Sequence, residues 1–223
     1  MRNAPIPVSR QELASLIWGD TRANSWENAL SALLIRTSRV LSDVAGQGYE
    51  VSITRQMGHY HLQLPAGVWI DLEAATSAVD RAEVATSAGK FNTVNGPAMV
   101  AVSISRRPFL SGVTGAWAEA QRARLNRILL RGLDCLSEMW LELGEPQWAV
   151  EIASGASGLA PYRERSHRLL MRAHADDGEP ATAVDVYPIV STRTLPQARL
   201  QKPKPSTWKC SDRVHSYFRT MRF

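Results

Sequence analysis

Two cysteines, Cys135 and Cys210, are all that the 223 residues contain. That is too few for a disulfide scaffold or a four-cysteine zinc site, and a reducing cytoplasm is the expected compartment. No run of about 18 apolar residues occurs, so no membrane-spanning helix and no membrane partner is expected. Met1 to Ser9 carries one charge and no apolar core segment, unlike a secretory signal. A glycine-rich phosphate loop, a Gly-x-Ser-x-Gly elbow and a His-Glu-x-x-His pair are all missing. An enzyme is therefore not expected, nor is a cofactor. Acidic residues are scarce at one end only: residues 189–223 hold eight Lys/Arg and one Asp, giving +7, against +1 for residues 1–63 and −3 for residues 64–188. The overall +5 thus describes the last segment and says little about the rest.

What is present reads first as helix, link, helix, hairpin. Ser9-Arg10-Gln11-Glu12 is a capping box, in which the hydroxyl accepts from an orphan N–H and Glu12 reaches back. Leu13, Leu16 and Ile17 follow at one-face spacing until Gly19-Asp20. Asn24 and Glu27 repeat the capping pattern and open a second helix to about Val44. At 100° per residue, Trp26, Leu30, Leu33, Leu34, Thr37 and Leu41 fall on one side. Asn28, Ala32, Ile35 and Arg39 face the other way, flanked by Ser31, Arg36 and Ser38. Val51 and Ile53, then Tyr60, Leu62 and Leu64 across Gln56-Met57-Gly58, keep the period of two of a half-buried hairpin. These are the parts of a winged helix-turn-helix.

From there to about Tyr187 the pattern is helical: Glu73–Ala88, Ala98–Ser105 and a long helix Trp117–Leu143. Gly144-Glu145-Pro146-Gln147-Trp148-Ala149-Val150 then recurs as Gly178-Glu179-Pro180-Ala181-Thr182-Ala183-Val184, with five of seven residues identical at an offset of 34, the period of tetratricopeptide units. Each glycine ends one helix and each proline starts the next, where its missing N–H costs nothing. Pro188 should end the last helix. The expected fold is mainly α: a partial winged helix-turn-helix over 1–70, a tetratricopeptide-like array over 71–188, and a basic, poorly ordered tail over 189–223.

Other chemistry is weaker. His59 and His61, two apart on one strand, read as solvent-facing wing residues in preference to metal ligands, and no metal is expected. Cys135 lies on or beside an apolar stripe, as an inert buried thiol does. Glu164 and His167 sit at a repeat junction, where a network with Arg163 and Arg168 is the ordinary role. Tryptophans 117, 140 and 148 suit core positions. Arg122, Arg124, Arg127 and Arg131 stripe the long helix as a solvated face. DNA recognition, by contrast, needs polar and basic groups on an outward helix face. Asn28, Ser31, Arg36, Ser38 and Arg39 supply them.

Val8-Ser9-Arg10-Gln11-Glu12-Leu13, Leu16-Ile17-Trp18-Gly19-Asp20 and Gly58-His59-Tyr60-His61-Leu62 resemble the winged helix of the Streptomyces antibiotic regulatory proteins (the SARP group), which is of the OmpR/PhoB type. Pro108-Phe109-Leu110, Pro161-Tyr162-Arg163-Glu164 and Leu169-Leu170-Met171-Arg172-Ala173-His174 resemble that group's bacterial transcriptional activator domain. The resemblance spans roughly residues 8–187, and the Trp-Gly-Asp and Pro-x-Arg-Glu signatures in this order are its more specific part. It implies a transcriptional activator that binds double-stranded DNA and recruits RNA polymerase holoenzyme, with the helical domain serving dimerisation to a homodimer or regulation. It also implies that Thr54, Arg55 and Gln56 of the wing meet backbone or minor groove. Against the group's pattern the chain starts at the second helix and lacks the motifs after Tyr187. The alternative expectation is thus a helical protein–protein interaction module with a vestigial winged helix, the remnant of a truncated or frameshifted gene.

Overall fold

The computed structural model describes residues 7–19, 24–45, 51–65 and 67–191. They fall into two compact units: Met1–Ile70 with Leu110–Gln121, and Asp71–Phe109 with the chain from Arg122 onward.

The first unit holds a short strand β1 (Val8–Ser9), helices α1 (Arg10–Trp18) and α2 (Trp26–Ala45), and strands β2 (Ser52–Gln56) and β3 (His59–Gln63). β3 lies between β1 and β2, antiparallel to both. Pairing of Ile53 with Leu62, Arg55 with Tyr60 and Tyr60 with Val8 puts the apolar alternation on one face. Ser52, Thr54, Gln56, His59, His61 and Gln63 make the other. Met57 and Gly58 both have positive φ, 48° and 82°, so the hairpin closes in a two-residue type I′ turn. Among the described residues of this unit, β1 is the one element that the sequence pattern did not single out; two residues are too short to show a period.

The second unit is a set of antiparallel helical hairpins. α3 (Asp71–Ser87) and α4 (Asn95–Ser105) flank a single 3-10 turn at Phe91–Thr93. α5 (Ala116–Glu142) starts among the residues grouped with the first unit and continues into this one; α6 (Pro146–Leu159), α7 (Glu164–Asp176) and α8 (Pro180–Ser191) follow. The recurring Gly-Glu-Pro closes two helices identically. Glu145 N–H donates to the Trp140 carbonyl and Gly144 N–H to Leu141; Glu179 and Gly178 do the same to His174 and Ala175. This is a Schellman cap, with Gly144 and Gly178 at φ of 76° and 82°. α3 ends the same way, through Lys90 to Ala85 and Gly89 to Thr86. The α3–α4 hairpin is a third unit of similar design, unrecognised in the sequence because its turn lacks the Gly-Glu-Pro signature.

Several element ends shift. α4 starts at Asn95, three residues before the expected Ala98. Pro188 does not end α8, which runs three residues further, to Ser191. A proline in a last turn removes one bond from a ladder about to run out of donors, so the stop is displaced past it. α2 opens at Trp26, with the Ser25 carbonyl accepting from Asn28 and Ala29, one residue later than the Asn24–Glu27 pattern predicts. The tail after Ser191, with Cys210, lies outside the described residues.

The core of the second unit joins Val94, just before α4, and Ala98 and Val102 of α4 to Leu129, Leu133, Leu136 and Met139 of α5. At Gly132 these helices pack tightly: a Cβ there would stand 2.9 Å from Val102 Cγ2. Charged side chains form a ladder beside this core. Arg131 grips Asp80 and Glu83 of α3 at 2.7 and 2.6 Å. Asp134, its side chain 3% exposed, takes a two-pronged bond from Arg163 at 2.8 and 2.6 Å and a third contact from Arg165 at 3.0 Å. Arg165 also reaches Glu138, and Arg172 reaches Glu142. Arg163 thus binds α5 rather than Glu164, while Arg168 lies 3.6 Å from Glu164. Trp140 packs against the core and lies 6.3 Å from Trp148, centroid to centroid. Cys135 is buried among these helices, and burial pushes its thiol up to about 11.

Candidate nucleic-acid interface

The geometry of α2 begins with α1. The predicted capping box is present: Ser9 Oγ accepts from Glu12 N–H at 3.2 Å, and Glu12 Oε2 accepts from Ser9 N–H at 2.8 Å. These bonds hold the Glu12 carboxyl below its ordinary range, with a smaller contribution from His59. The first residue of α1, Arg10, then reaches forward. Its Nη2 donates to the Glu27 carbonyl at 2.8 Å and to Ser31 Oγ at 3.1 Å, and its guanidinium lies 5.8 Å from the Trp26 ring centroid. A cation in the first turn stands at the unfavourable end of its own helix dipole. That misplaced charge was the signal in the sequence that Arg10 has another duty, and the clasp on α2 is that duty.

The clasp sets the rotation of α2. Leu30 is buried, with 1% exposure, and Trp26, Leu34 and Leu41 are half-buried beside it. Ser31 and Ser38 lie on the covered flank, whereas Leu33 and Thr37, expected on the inner stripe, are exposed. The phase is turned toward Ser31 because Arg10 draws that side in. The Ser31 hydroxyl is engaged twice, donating to the Glu27 carbonyl at 2.9 Å while accepting from Arg10.

Of the eight residues singled out for DNA contact, five stand in the open. Asn28, Arg36 and Arg39 are exposed on the side of α2 opposite Leu30, and Arg55 and Gln56 are exposed on the wing. No ion pair joins Arg36 or Arg39 to a carboxylate among the described residues. Arg55 lies 6.0 Å from the centroid of Tyr60, its cross-strand partner. The three hydroxyl residues are the covered ones: Ser31 and Ser38 on α2, and Thr54, half-buried with its Oγ1 enclosed and lacking a bond. Short hydroxyl side chains at the edge of a stripe are drawn into packing more readily than long cations, which extend past it.

His59 is exposed beside the turn, its Nδ1 3.1 Å from the Met57 carbonyl, and no cluster of His, Cys, Asp or Glu suited to a metal occurs among the described residues. On α5, Arg131 is committed to α3, Arg122 donates to the Phe109 carbonyl at 3.0 Å, and Arg124 lies 3.4 Å from Thr76 Oγ1. That stripe is partly structural, which leaves the exposed cations of α2 and the wing as the better-formed basic surface. No helix among the described residues is long and apolar enough to cross a membrane.

Residues 70–198 match the family described as the bacterial transcriptional activator domain. Regulatory protein AfsR of Streptomyces coelicolor is 31% identical over 204 residues, covering 91% of this chain and 20% of that protein. Regulatory protein AfsR of Streptomyces griseus is 28% identical over 204 residues, with the same coverage. The chain thus spans about a fifth of the length of the curated relatives it matches.

Proposed function

Because the chain belongs to the bacterial transcriptional activator domain family, in the SARP-type order of winged helix then helical array, we propose that it is a DNA-binding transcriptional regulator, an activator. In this reading α2 enters the major groove with Asn28, Arg36 and Arg39 directed at bases and phosphates, and Arg55 and Gln56 of the wing meet the backbone or minor groove. Arginine forks suit guanine edges and phosphates, and asparagine suits adenine. The α3–α8 array serves dimerisation or contact with RNA polymerase holoenzyme. The observation that carries the reading is the pair Arg36 and Arg39, exposed on the outward side of a well-anchored helix with no carboxylate among the described residues holding them.

Duplex titration of the full chain at several salt concentrations tests it. Affinity is expected to fall steeply with salt, and Arg36→Ala with Arg39→Ala to weaken binding and flatten the salt dependence by roughly one unit of log–log slope per lost phosphate contact. Binding indifferent to those substitutions but lost on removal of residues 189–223 would sink the reading in favour of a helical interaction module with a sticky basic tail.

A further inference from the structure

The outward side of α2 is not only basic. Ile35 stands there with 56% of its surface exposed, next to Arg36 and one turn before Arg39, and Ala32 lies three residues ahead of it. Asp43 closes the same side near the helix end. A solvated helix position ordinarily carries Glu, Lys or Gln, and a β-branched apolar residue gains nothing there in helix propensity. Two flanking cations also exclude an apolar protein surface as its natural cover, since docking would bury both guanidinium groups without partners. A polyanion carrying an apolar group satisfies both features. In the major groove that group is the C5-methyl of thymine, the only apolar group on a base edge.

Resting on the DNA-binding reading above, we propose that Ile35 is a specificity-determining residue that packs on a thymine methyl, so that the preferred duplex carries thymine beside the bases or phosphates held by Arg36 and Arg39. Ala32, with no side chain beyond Cβ, lets the helix backbone approach the groove floor at this point.

The test starts from a random-sequence duplex pool selected for binding by the full chain. Each thymine of the selected duplex is then replaced singly by deoxyuridine, which removes the methyl and keeps the base pairing. At one or more positions the wild-type chain is expected to bind about fourfold more weakly, the worth of burying one methyl. Ile35→Ala, at an exposed position, is expected to lose the sensitivity to that same replacement. A pool that stays random, deoxyuridine replacements that all cost less than twofold, or an Ile35→Ala chain as sensitive as wild type would each overturn the proposal. Failure of the underlying reading is distinguishable: there Arg36→Ala and Arg39→Ala leave binding unchanged, whereas a fault confined to Ile35 leaves the arginine effect intact.

Discussion

Single residues with more than one partner fix both units. Arg10 replaces three separate contacts between α1 and α2 with one side chain, and it is half-exposed, so its worth is that of a partly screened charged donor. Arg10→Ala is expected to destabilise the first unit by about 1–2 kcal/mol, read as a lower urea midpoint at unchanged slope. In the proposed DNA-binding reading duplex affinity should fall as well, without the drop in salt slope that follows loss of Arg36, because the Arg10 guanidinium is engaged with Glu27 and Ser31 of α2. Asp134 is the counterpart in the second unit. Its burial beneath Arg163 and Arg165 makes Asp134→Ala costly, about 2–3 kcal/mol after allowing for the partial exposure of both arginines. Glu83 adds a pH dependence. The Arg131 hydrogen bond holds its folded carboxyl below the ordinary 4.5, so its stabilisation is complete above that value and is lost as pH falls through the depressed folded one. Glu83→Gln should therefore flatten the acid limb of the second unit's stability profile below about pH 4.5 and leave its shape at neutral pH unchanged.

At the scale of elements, helices long enough to repeat a stripe were legible in the sequence, because burial of one face and helical period are the same fact. The Ser9–Glu12 cap, the hairpin and both Gly-Glu-Pro turns were legible for a similar reason: few residue types satisfy those backbone geometries. What stayed hidden depends on tertiary partners. β1 exists only because Val8 and Ser9 meet Tyr60 and His59. The rotation of α2, and with it the covering of Ser31 and Ser38, depends on Arg10 seventeen residues upstream of Glu27. Met57 occupies a left-handed turn position with its side chain fully exposed, where asparagine is the preferred residue. Met57→Asn is expected to raise stability by about 0.5 kcal/mol, seen as a higher denaturation midpoint of the first unit. At Gly132 two effects compete. Alanine gains about 1 kcal/mol of helix propensity, but its Cβ meets stiff Val102 at 2.9 Å, and overpacking of about 1–3 kcal/mol outweighs the gain. Gly132→Ala should thus lower the stability of the second unit.

For the whole molecule, charge separates two routes by which the proposed DNA binding would arise. The segment 64–188, which contains most of the helical array, is net −3, so the basic character of the chain comes from the +7 of residues 189–223 and from a few exposed arginines of α2 and the wing. Any phosphate-facing charge releases counterions, but telling one base pair from another needs side chains held in a fixed frame. α2 is such a frame, anchored through Leu30 and Arg10. Removal of residues 189–223 is accordingly expected to weaken a selected duplex and a random duplex by the same factor, leaving their affinity ratio unchanged while reducing the salt slope for both. Arg36→Ala with Arg39→Ala should do the opposite to the ratio, bringing the selected duplex down toward the random one. Parallel titrations of both duplexes at two salt concentrations decide it: a ratio that collapses when the tail is removed, and survives loss of the two arginines, would transfer sequence recognition from the helix to the tail.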